Sequence, residues 1–239
     1  MAQVAYLENE GIKIARGMVK GVTPVHVSGY NPTSSNDDSV WTVSTAYPWD
    51  ALDTPQTLYV KSSSNNATDR QLEVTIDGLD SDFEMLSETI HLDSNNSTSA
   101  VTTTNQFSRI NNMYCSNSMT NVGDISARVT SGSGTIVDNI AAGQGRNMTG
   151  IYTIPAGYTG YLLKGQFSSS AVSVVAFYVR LFDKTFVLSH IGTADNTMYG
   201  YDYPIPQVMP EKTDLDVRLE TGAGKTSCNF DIILVKNPV

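Results

Sequence analysis

Several features that would identify a disulfide-rich or membrane protein are missing from this 239-residue sequence. The only cysteines are Cys115 and Cys228, too few for a disulfide framework or a cysteine zinc site. They are interpreted as buried thiols or, alternatively, as one bridge. No signal peptide is predicted at the N-terminus. The longest apolar run, residues 172–182, is interrupted by Ser173 and Arg180 and is too short to span a membrane.

Positive charge is also scarce. The chain has 15 Lys and Arg residues against 24 Asp and Glu residues, a net charge of -9, and no dense basic cluster. Binding to a phosphate backbone requires an excess of Lys and Arg on one face. We therefore expect neither a nucleic-acid partner nor a membrane partner.

Motifs of catalysis are missing too. Residues 219–226 end in Gly-Lys-Thr, but Leu219 stands where a phosphate-binding loop requires Gly, and a strand-like segment follows in place of a helix. We predict that Gly222–Gly224 is instead a hairpin turn. No serine lies in a Gly-x-Ser-x-Gly elbow. A pair of carboxylates for glycan cleavage is left open, because their separation depends on the fold. The expectation is a protein with no catalytic residue and no cofactor.

The residues that most often bind metals are dispersed. His26, His91 and His190 lie far apart, and none has a His partner two or four positions away. The three aspartates of the segment 77–82 could supply oxygen ligands to calcium, but their spacing departs from the helix-loop-helix pattern and also suits a polar turn. No metal site is predicted.

Strand patterns run along most of the chain. Leu72, Val74 and Ile76 alternate with polar residues, as in a half-buried strand. Residues 172–182 are the most apolar strand and should be central in a sheet. No helical stripe of apolar residues appears, and turn residues recur every 8–12 positions. This pattern predicts an all-β, antiparallel β-sandwich, with a jelly-roll-like topology preferred.

The first 35 residues differ from the rest because they contain closely spaced glycines and prolines, which disfavour helix. We predict an extended N-terminal arm over residues 1–35, followed by one β-sandwich over residues 36–239. An alternative is a split near residue 145 into two β-modules. The arm is expected to contact neighbouring subunits through four apolar residues, Ile12, Ile14, Val25 and Val27.

A turn near the middle of the chain has the clearest local signal. Pro155 presets the backbone for a turn, and Gly157 tolerates the positive φ that commonly follows. Aromatic and β-branched residues flank it on both sides. The stretch 148–165 is therefore predicted to be a β-hairpin whose turn is Pro155 to Gly157.

Six short motifs carry a resemblance to a known group. They are Ile14–Gly17, Gly21–His26, Tyr47–Trp49, Thr120–Ile125, Ile154–Tyr161 and Pro210–Asp214. The chain resembles, over almost its whole length, structural proteins from virions of tailed phages of the marine and cyanophage type. Most of these motifs are turn chemistry, not active-site chemistry.

The resemblance implies a non-enzymatic virion protein, made in the cytoplasm of the infected bacterial host. Its most concrete form is a capsid decoration or cement protein on the outer surface of the head. The implied partners are the major capsid protein and copies of itself, as a homotrimer, with the arm added as a strand to a neighbour's sheet.

Two other roles stay open. A tail, baseplate or head-to-tail connector component would use the same β-domain in a ring. A module that binds host glycans would use exposed aromatic residues facing one way, for which Tyr199, Tyr201, Tyr203 and Trp49 are the candidates. For Trp41 and Trp49, core filling or cover over a sheet edge is the favoured interpretation, and a ligand platform is the alternative.

Overall fold

A computed structural model describes residues 10–238, and these are mostly antiparallel β-strands. The predicted all-β sandwich class is confirmed. The helical elements of this described range are one α-helix, α1 (Glu10–Ala15), and two 3-10 helices, Trp49–Leu52 and Asp69–Gln71. The strands are β1 (Val22–Ser34), β2 (Gln56–Ser62), β3 (Glu73–Leu79), β4 (Met85–His91), β5 (Val101–Phe107), β6 (Arg109–Cys115), β7 (Ile125–Arg128), β8 (Ile136–Ile140), β9 (Ile151–Thr153), β10 (Tyr158–Ser169), β11 (Ser173–Arg180), β12 (Val187–Ala194), β13 (Thr197–Met209), β14 (Asp214–Thr221) and β15 (Gly224–Lys236).

These strands form two sandwiches, one inserted into the other. The discontinuous sandwich has sheets of order β1-β15-β10-β13 and β12-β11-β14-β9. The inserted sandwich, residues 56–140, has sheets of order β5-β2-β7-β8 and β4-β3-β6. Each sandwich encloses its own cluster of buried apolar side chains. The apolar strand β11 is central in its sheet, as predicted.

The N-terminal boundary differs from the predicted arm of residues 1–35 and the predicted single sandwich of residues 36–239. Residues 22–34 form β1, which pairs along its length with β15 from Val22 opposite Val235 onwards. The edge strand β1 tolerates Pro24 because the N–H that proline lacks would face away from β15, so no hydrogen bond between the two strands is lost. The chain then leaves this sandwich and returns to it between residues 140 and 151, near the proposed split at 145.

Of the rest of the predicted arm, residues 1–9 lie outside the described range, and residues 10–21 lie outside both sandwiches. Residues 10–15 form α1, a helix where glycine spacing predicted none, and no residue of α1 is buried. Ile12 and Met18 are 49% and 58% exposed. This segment therefore presents apolar side chains at the surface.

The turn at Pro155 is present, but its flanking strands do not pair with each other. Gly157 has φ +75°, as expected for this turn, and Tyr158 N donates to Pro155 O at 3.3 Å. However, β9 pairs with β14 in one sheet and β10 pairs with β15 and β13 in the other. The predicted hairpin is instead a connection between the two sheets. Local turn chemistry specifies the bend and leaves the choice of strand partner to distant residues.

The same correction applies to the predicted hairpin at Gly222–Gly224. These residues connect β14 to β15, and the two strands lie in opposite sheets of the discontinuous sandwich. Gly222 and Gly224 have φ of +120° and +121°, a region that side chains rarely adopt. The predicted turn is again present, but the predicted pairing of the two strands that flank it is wrong.

Substitution of Gly157 tests the turn. Gly157→Val should lower the free energy of unfolding by about 1–2 kcal/mol, because a β-branched residue is strained at positive φ. Nothing lies within 4 Å of a Cβ built at this position, so the cost comes from the backbone alone. Gly157→Asn is the matched control, since Asn tolerates this region, and it should cost less than half as much. Equal urea midpoints for Val and parent proteins would contradict the turn.

An aromatic cluster joins the two sandwiches. Trp41, Tyr47, Trp49 and Ile151 are buried together at the junction. The Tyr47 ring lies 5.1 Å from Trp41 and 4.8 Å from Trp49, both with edge-to-face geometry. The segment Val40–Val43 is irregular here. Its burial reflects its position between the sandwiches, and both tryptophans fill a core, as the favoured interpretation predicted.

Candidate assembly surface

An exposed apolar surface lies on one side of the discontinuous sandwich. β12 and β13 follow each other in sequence and are the edge strands of its two sheets. Ser189 Oγ donates to Gln207 Oε1 at 2.9 Å, which ties the two strands together. We call this surface the β12–β13 edge. It exposes seven large apolar side chains, each between 41% and 84% accessible: Val187, Leu188, Ile191, Met198, Tyr201, Ile205 and Val208.

A wide bulge shapes the centre of this edge. In the ladder with β10, Leu162 faces Gln207 and Lys164 faces Asp202, so residues 203–206 of β13 have no partner in β10. This segment is Tyr-Pro-Ile-Pro, and its prolines carry no N–H to donate to an added strand. Ile205 lies between them and is 84% exposed. The bulge therefore discourages strand addition while presenting an apolar side chain.

Charge is nearly absent from the β12–β13 edge. Residues 187–209 contain Asp195 and Asp202 but no Lys, Arg or Glu. Natural β proteins commonly protect open edges with charged residues, lysine especially. Large exposed apolar patches usually mark sites of association. This edge has the chemistry of a contact surface.

Aromatic packing beneath the edge holds it in place. The Tyr199 ring stacks on the buried Phe167 ring at 5.1 Å. His190 lies between two tyrosines, 5.6 Å from the Tyr199 ring and 5.1 Å from the Tyr201 ring. Burial raises the pKa of the Tyr203 hydroxyl above its ordinary value. The edge is thus backed by a continuous aromatic layer.

Trp49 does not share this face with the tyrosines. It is 5% exposed within the junction cluster, whereas Tyr201 is 41% exposed on the β12–β13 edge. The four aromatic residues considered for a glycan platform therefore do not form one exposed surface. A glycan site built from Trp49 with Tyr199, Tyr201 and Tyr203 is not supported by these positions.

Buried ion pairs fasten the inserted sandwich to the discontinuous one. Arg109, on β6, donates from Nε to Asp214 Oδ1 at 3.0 Å across the junction. Asp214, on β14, also accepts from Arg180 Nε at 2.8 Å and from Thr153 Oγ1 at 2.6 Å. The Arg109 and Asp214 side chains are 7% and 4% exposed. These contacts fix one sandwich against the other.

A second group continues the junction along β14. Asp216 Oδ2 accepts from Trp49 Nε1 and from Arg218 Nε, both at 2.8 Å. Burial raises the pKa of Asp216, and the nearby Arg218 charge opposes this effect. The Phe186 ring lies between two guanidinium groups, 4.7 Å from Arg180 and 4.6 Å from Arg218.

One buried carboxylate at the junction has no cation beside it among residues 10–238. Asp138, on β8, accepts from Asn147 Nδ2 at 2.7 Å and from Thr149 Oγ1 at 3.0 Å. Both donors lie on the segment that returns the chain to the discontinuous sandwich. Burial raises the pKa of Asp138 to about 7, although the hydrogen bonds from Asn139 N, Thr149 and Asn147 act in the other direction.

The predicted contact and turn residues are not brought together. Val27 is buried in the core of the discontinuous sandwich and is not available to a neighbouring subunit in this fold, whereas the half-buried Val25 packs against that core. Ile12 and Ile14 lie on α1. Pro155 and Gly157 lie in the connection between the sheets, where Glu211 Oε2 accepts from Gly157 N at 2.6 Å.

The residues considered for metals are engaged elsewhere. His26 contacts Asp231 at 2.7 Å, and His91 lies 3.8 Å from Glu73. Asp77 accepts from Ser87 and Asn112, and Asp80 accepts from two backbone N–H groups of its own turn. Within residues 10–238, no three His, Cys, Asp or Glu side chains are placed to hold one metal ion. Cys115 and Cys228 are unbridged, and burial raises the pKa of the Cys228 thiol.

The β12–β13 edge was only partly visible in the sequence. The sequence indicated the tyrosines of β13 as candidate exposed aromatic residues, but Val187, Ile191 and Ile205 have the pattern of ordinary strand residues. The usable signal was the combination of two prolines around Ile205 with the absence of Lys, Arg and Glu over residues 187–209. A proline pair within a strand pattern indicates an edge strand.

Comparisons with known proteins do not assign this chain to a family. No protein-family model matches the sequence, and no curated protein matches it. Among solved structures, the chain is similar to the VP2 subviral particle of infectious bursal disease virus, at 10% identity and a TM-score of 0.23, over 91% of this chain and 72% of that one. For the Gx strain of that virus the identity is 9% and the TM-score 0.20, over 91% and 76% of the two chains. Such low TM-scores carry no argument. Over residues 10–238, no helix has the length and apolarity to cross a bilayer.

Proposed function

We propose that this chain is a non-enzymatic structural protein of a tailed-phage virion, most concretely a decoration or cement protein on the outer surface of the head. The observation that carries the proposal is the β12–β13 edge, an exposed apolar surface with almost no charge. The motif resemblance points to the virion. The partners proposed are the major capsid protein and further copies of the chain.

The strand order of the discontinuous sandwich supports a jelly roll. If its strands, β1 and then β9 to β15, are numbered one to eight along the chain, the two sheets have the orders 1-8-3-6 and 5-4-7-2. Strand pairs 1 and 8, 2 and 7, 3 and 6, and 4 and 5 are therefore all neighbours. Rolling one long antiparallel ladder into a barrel gives this pairing, and we infer a jelly roll with the second sandwich inserted after its first strand. Capsid and lectin domains both use that fold, so the fold alone does not choose between them.

A second copy of the chain is the occupant that best fits the β12–β13 edge. The whole chain has a net charge of -9, so most of its surface repels another copy. The edge is the part where two copies can approach with few charges facing each other. Closed symmetric assembly is the usual outcome for such contacts. We propose a homotrimer, because three-fold association suits the local three-fold positions of a phage head.

Sedimentation of the purified protein over a range of concentrations tests the assembly. Ile205→Asp should raise the dissociation constant of the oligomer at least about tenfold, since it buries a carboxylate in an apolar contact. Val122→Asp is the matched control, because Val122 is 49% exposed on the inserted sandwich, away from the edge. It should leave the oligomer unchanged.

Three outcomes would contradict the proposal in different ways. A monomer at every concentration would show that the free protein does not associate with itself. An oligomer insensitive to Ile205→Asp would move the contact away from the β12–β13 edge. A dimer or a larger ring would favour the alternative role in the tail, baseplate or head-to-tail connector, and copy number per virion then separates the roles. Hundreds of copies indicate decoration, and a dozen or fewer indicate a tail or connector.

A further inference from the structure

A cleft between the two sandwiches has a different character from the β12–β13 edge. It has a volume of about 430 Å³ and lies between β1 of the discontinuous sandwich and the sheet β4-β3-β6 of the inserted one. Its apolar lining includes Val25, Leu86 and Tyr152. Residues 24–28 of β1 form one wall, and β1 is an edge strand.

The hydrogen-bond pattern shows which backbone groups of β1 face away from its own sheet. Lys236 N donates to Gly21 O at 2.8 Å, whereas Tyr30 N donates to Met148 O at 3.1 Å, on the other side. Alternate residues of a strand direct their N–H and C=O groups to opposite sides. The odd-numbered residues of β1 therefore bond to β15. His26 and Ser28 direct their N–H and C=O groups away from β15, and both residues line the cleft.

An unpaired cation also lines this cleft. Arg146 is exposed, and its guanidinium makes no ion pair or side-chain hydrogen bond with any residue of the described range 10–238. The acidic residue of the cleft wall, Asp77, already accepts from Ser87 at 2.7 Å and from Asn112 at 3.2 Å. The exposed guanidinium of Arg146 is therefore open to a carboxylate of an added ligand.

We propose that this cleft binds an extended peptide segment carrying one carboxylate, as an additional strand on β1. The occupant is the N-terminal segment of a second copy, residues 1–9. Strand addition uses the outward backbone groups of His26 and Ser28 for affinity, the apolar wall for alternate side chains, and Arg146 for an acidic residue. This inference rests on the proposed self-assembly, because it names a second contact between copies.

The N-terminal segment has the required sequence pattern. In an extended chain Val4, Tyr6 and Glu8 would lie on one side, and Gln3, Ala5 and Leu7 on the other. Nine residues in extended form can reach about 30 Å. Residues 10–21 lead into this segment from outside the sandwich, with no buried residue in α1. The length of residues 1–9, the apolar side chains of Val4 and Tyr6, and the carboxylate of Glu8 match the cleft.

Binding of a synthetic peptide to the full chain tests the proposal. A peptide of residues 1–10 with a C-terminal fluorophore is titrated with the protein, and polarisation is measured. Ser28→Pro removes one outward N–H without removing a backbone hydrogen bond to β15, and it should weaken binding about tenfold. It also loses the bond from Ser28 Oγ to Asn229 Oδ1 on β15, as does Ser28→Ala. Ser28→Ala keeps the N–H and is the matched control, with an affinity within about twofold of the parent.

A charge exchange tests the role of Arg146. Arg146→Glu should weaken binding about threefold to fivefold, and a peptide carrying Glu8→Lys should recover that loss only on the Arg146→Glu protein. Unchanged binding to Ser28→Pro would overturn strand addition, and no saturable binding up to about 1 mM would overturn the site itself. Sedimentation of Ser28→Pro separates this inference from the proposed assembly, because the β12–β13 contact should survive the substitution.

Discussion

Asp214→Ala should lower the free energy of unfolding of the junction by about 3–5 kcal/mol, the range seen when one partner of a buried ion pair is removed. Asp214 is the carboxylate shared by Arg109 and Arg180. Without it, two guanidinium groups remain inside the junction with no buried counter-charge. Arg109 belongs to the inserted sandwich and Asp214 to the discontinuous one, so the loss separates the sandwiches before it unfolds either core.

The two tryptophans report this transition directly. Trp41 and Trp49 are the only tryptophans in the chain, and both are buried in the junction cluster. Urea unfolding followed by tryptophan fluorescence should therefore shift to a lower midpoint in Asp214→Ala, ahead of the loss of β-structure measured by circular dichroism. Coincident transitions at the parent midpoint would contradict a junction held by this pair.

Asp53→Ala is the matched control. Asp53 also contacts Arg109, at 3.6 Å, but its side chain is 53% exposed. Exposed ion pairs contribute between 0 and about 1 kcal/mol, because water screens them in the folded state. The same arginine is thus tested against one buried and one exposed carboxylate. A similar loss in the two variants would show that burial is not what makes the Asp214 contact strong.

These predictions depend on an arrangement that the sequence only partly revealed. Alternation in segments such as Leu72 to Ile76, together with recurrent turn residues, was enough to predict an antiparallel β-sandwich. The turns at Gly157 and Gly222 were also predicted, because positive φ is a local requirement. Which strands those turns connect was not predicted, since each joins strands of opposite sheets.

Long-range pairing explains the remaining differences. β1 pairs with β15, so Val22 lies opposite Val235 at the far end of the chain. The glycines and prolines of residues 21–32 weaken the local strand signal, and only the partner strand and the core contact of Val27 make this segment a strand. The β12–β13 edge was missed for a related reason. Its exposure depends on which strands end up at the sheet edges, and periodicity reports only that a strand alternates.

The protein should lose about 2–3 kcal/mol of stability through Asp138 between pH 5 and pH 8. The folded-state pKa of Asp138 is about 7, above the ordinary value of 3.8. Between those two values the folded protein holds a proton that the unfolded chain releases, so stability falls as pH rises, by about 1.4 kcal/mol per pH unit. Above pH 7 the loss levels off, because Asp138 is then ionised in both states.

Asp138→Asn should remove this pH dependence. The amide oxygen of Asn keeps the position that accepts from Asn139 N and Thr149 Oγ1, and rotation of the Asn147 amide accommodates the new N–H group. Urea unfolding at pH 5, 6, 7 and 8 should show the variant gaining about 2–3 kcal/mol on the parent protein across this range. The exposed Asp50→Asn is the control and should follow the parent profile. Parallel profiles for the parent and Asp138→Asn would show that this carboxyl group is ionised at pH 5 in the folded protein, and that Asn147 and Thr149 stabilise its charge inside the junction.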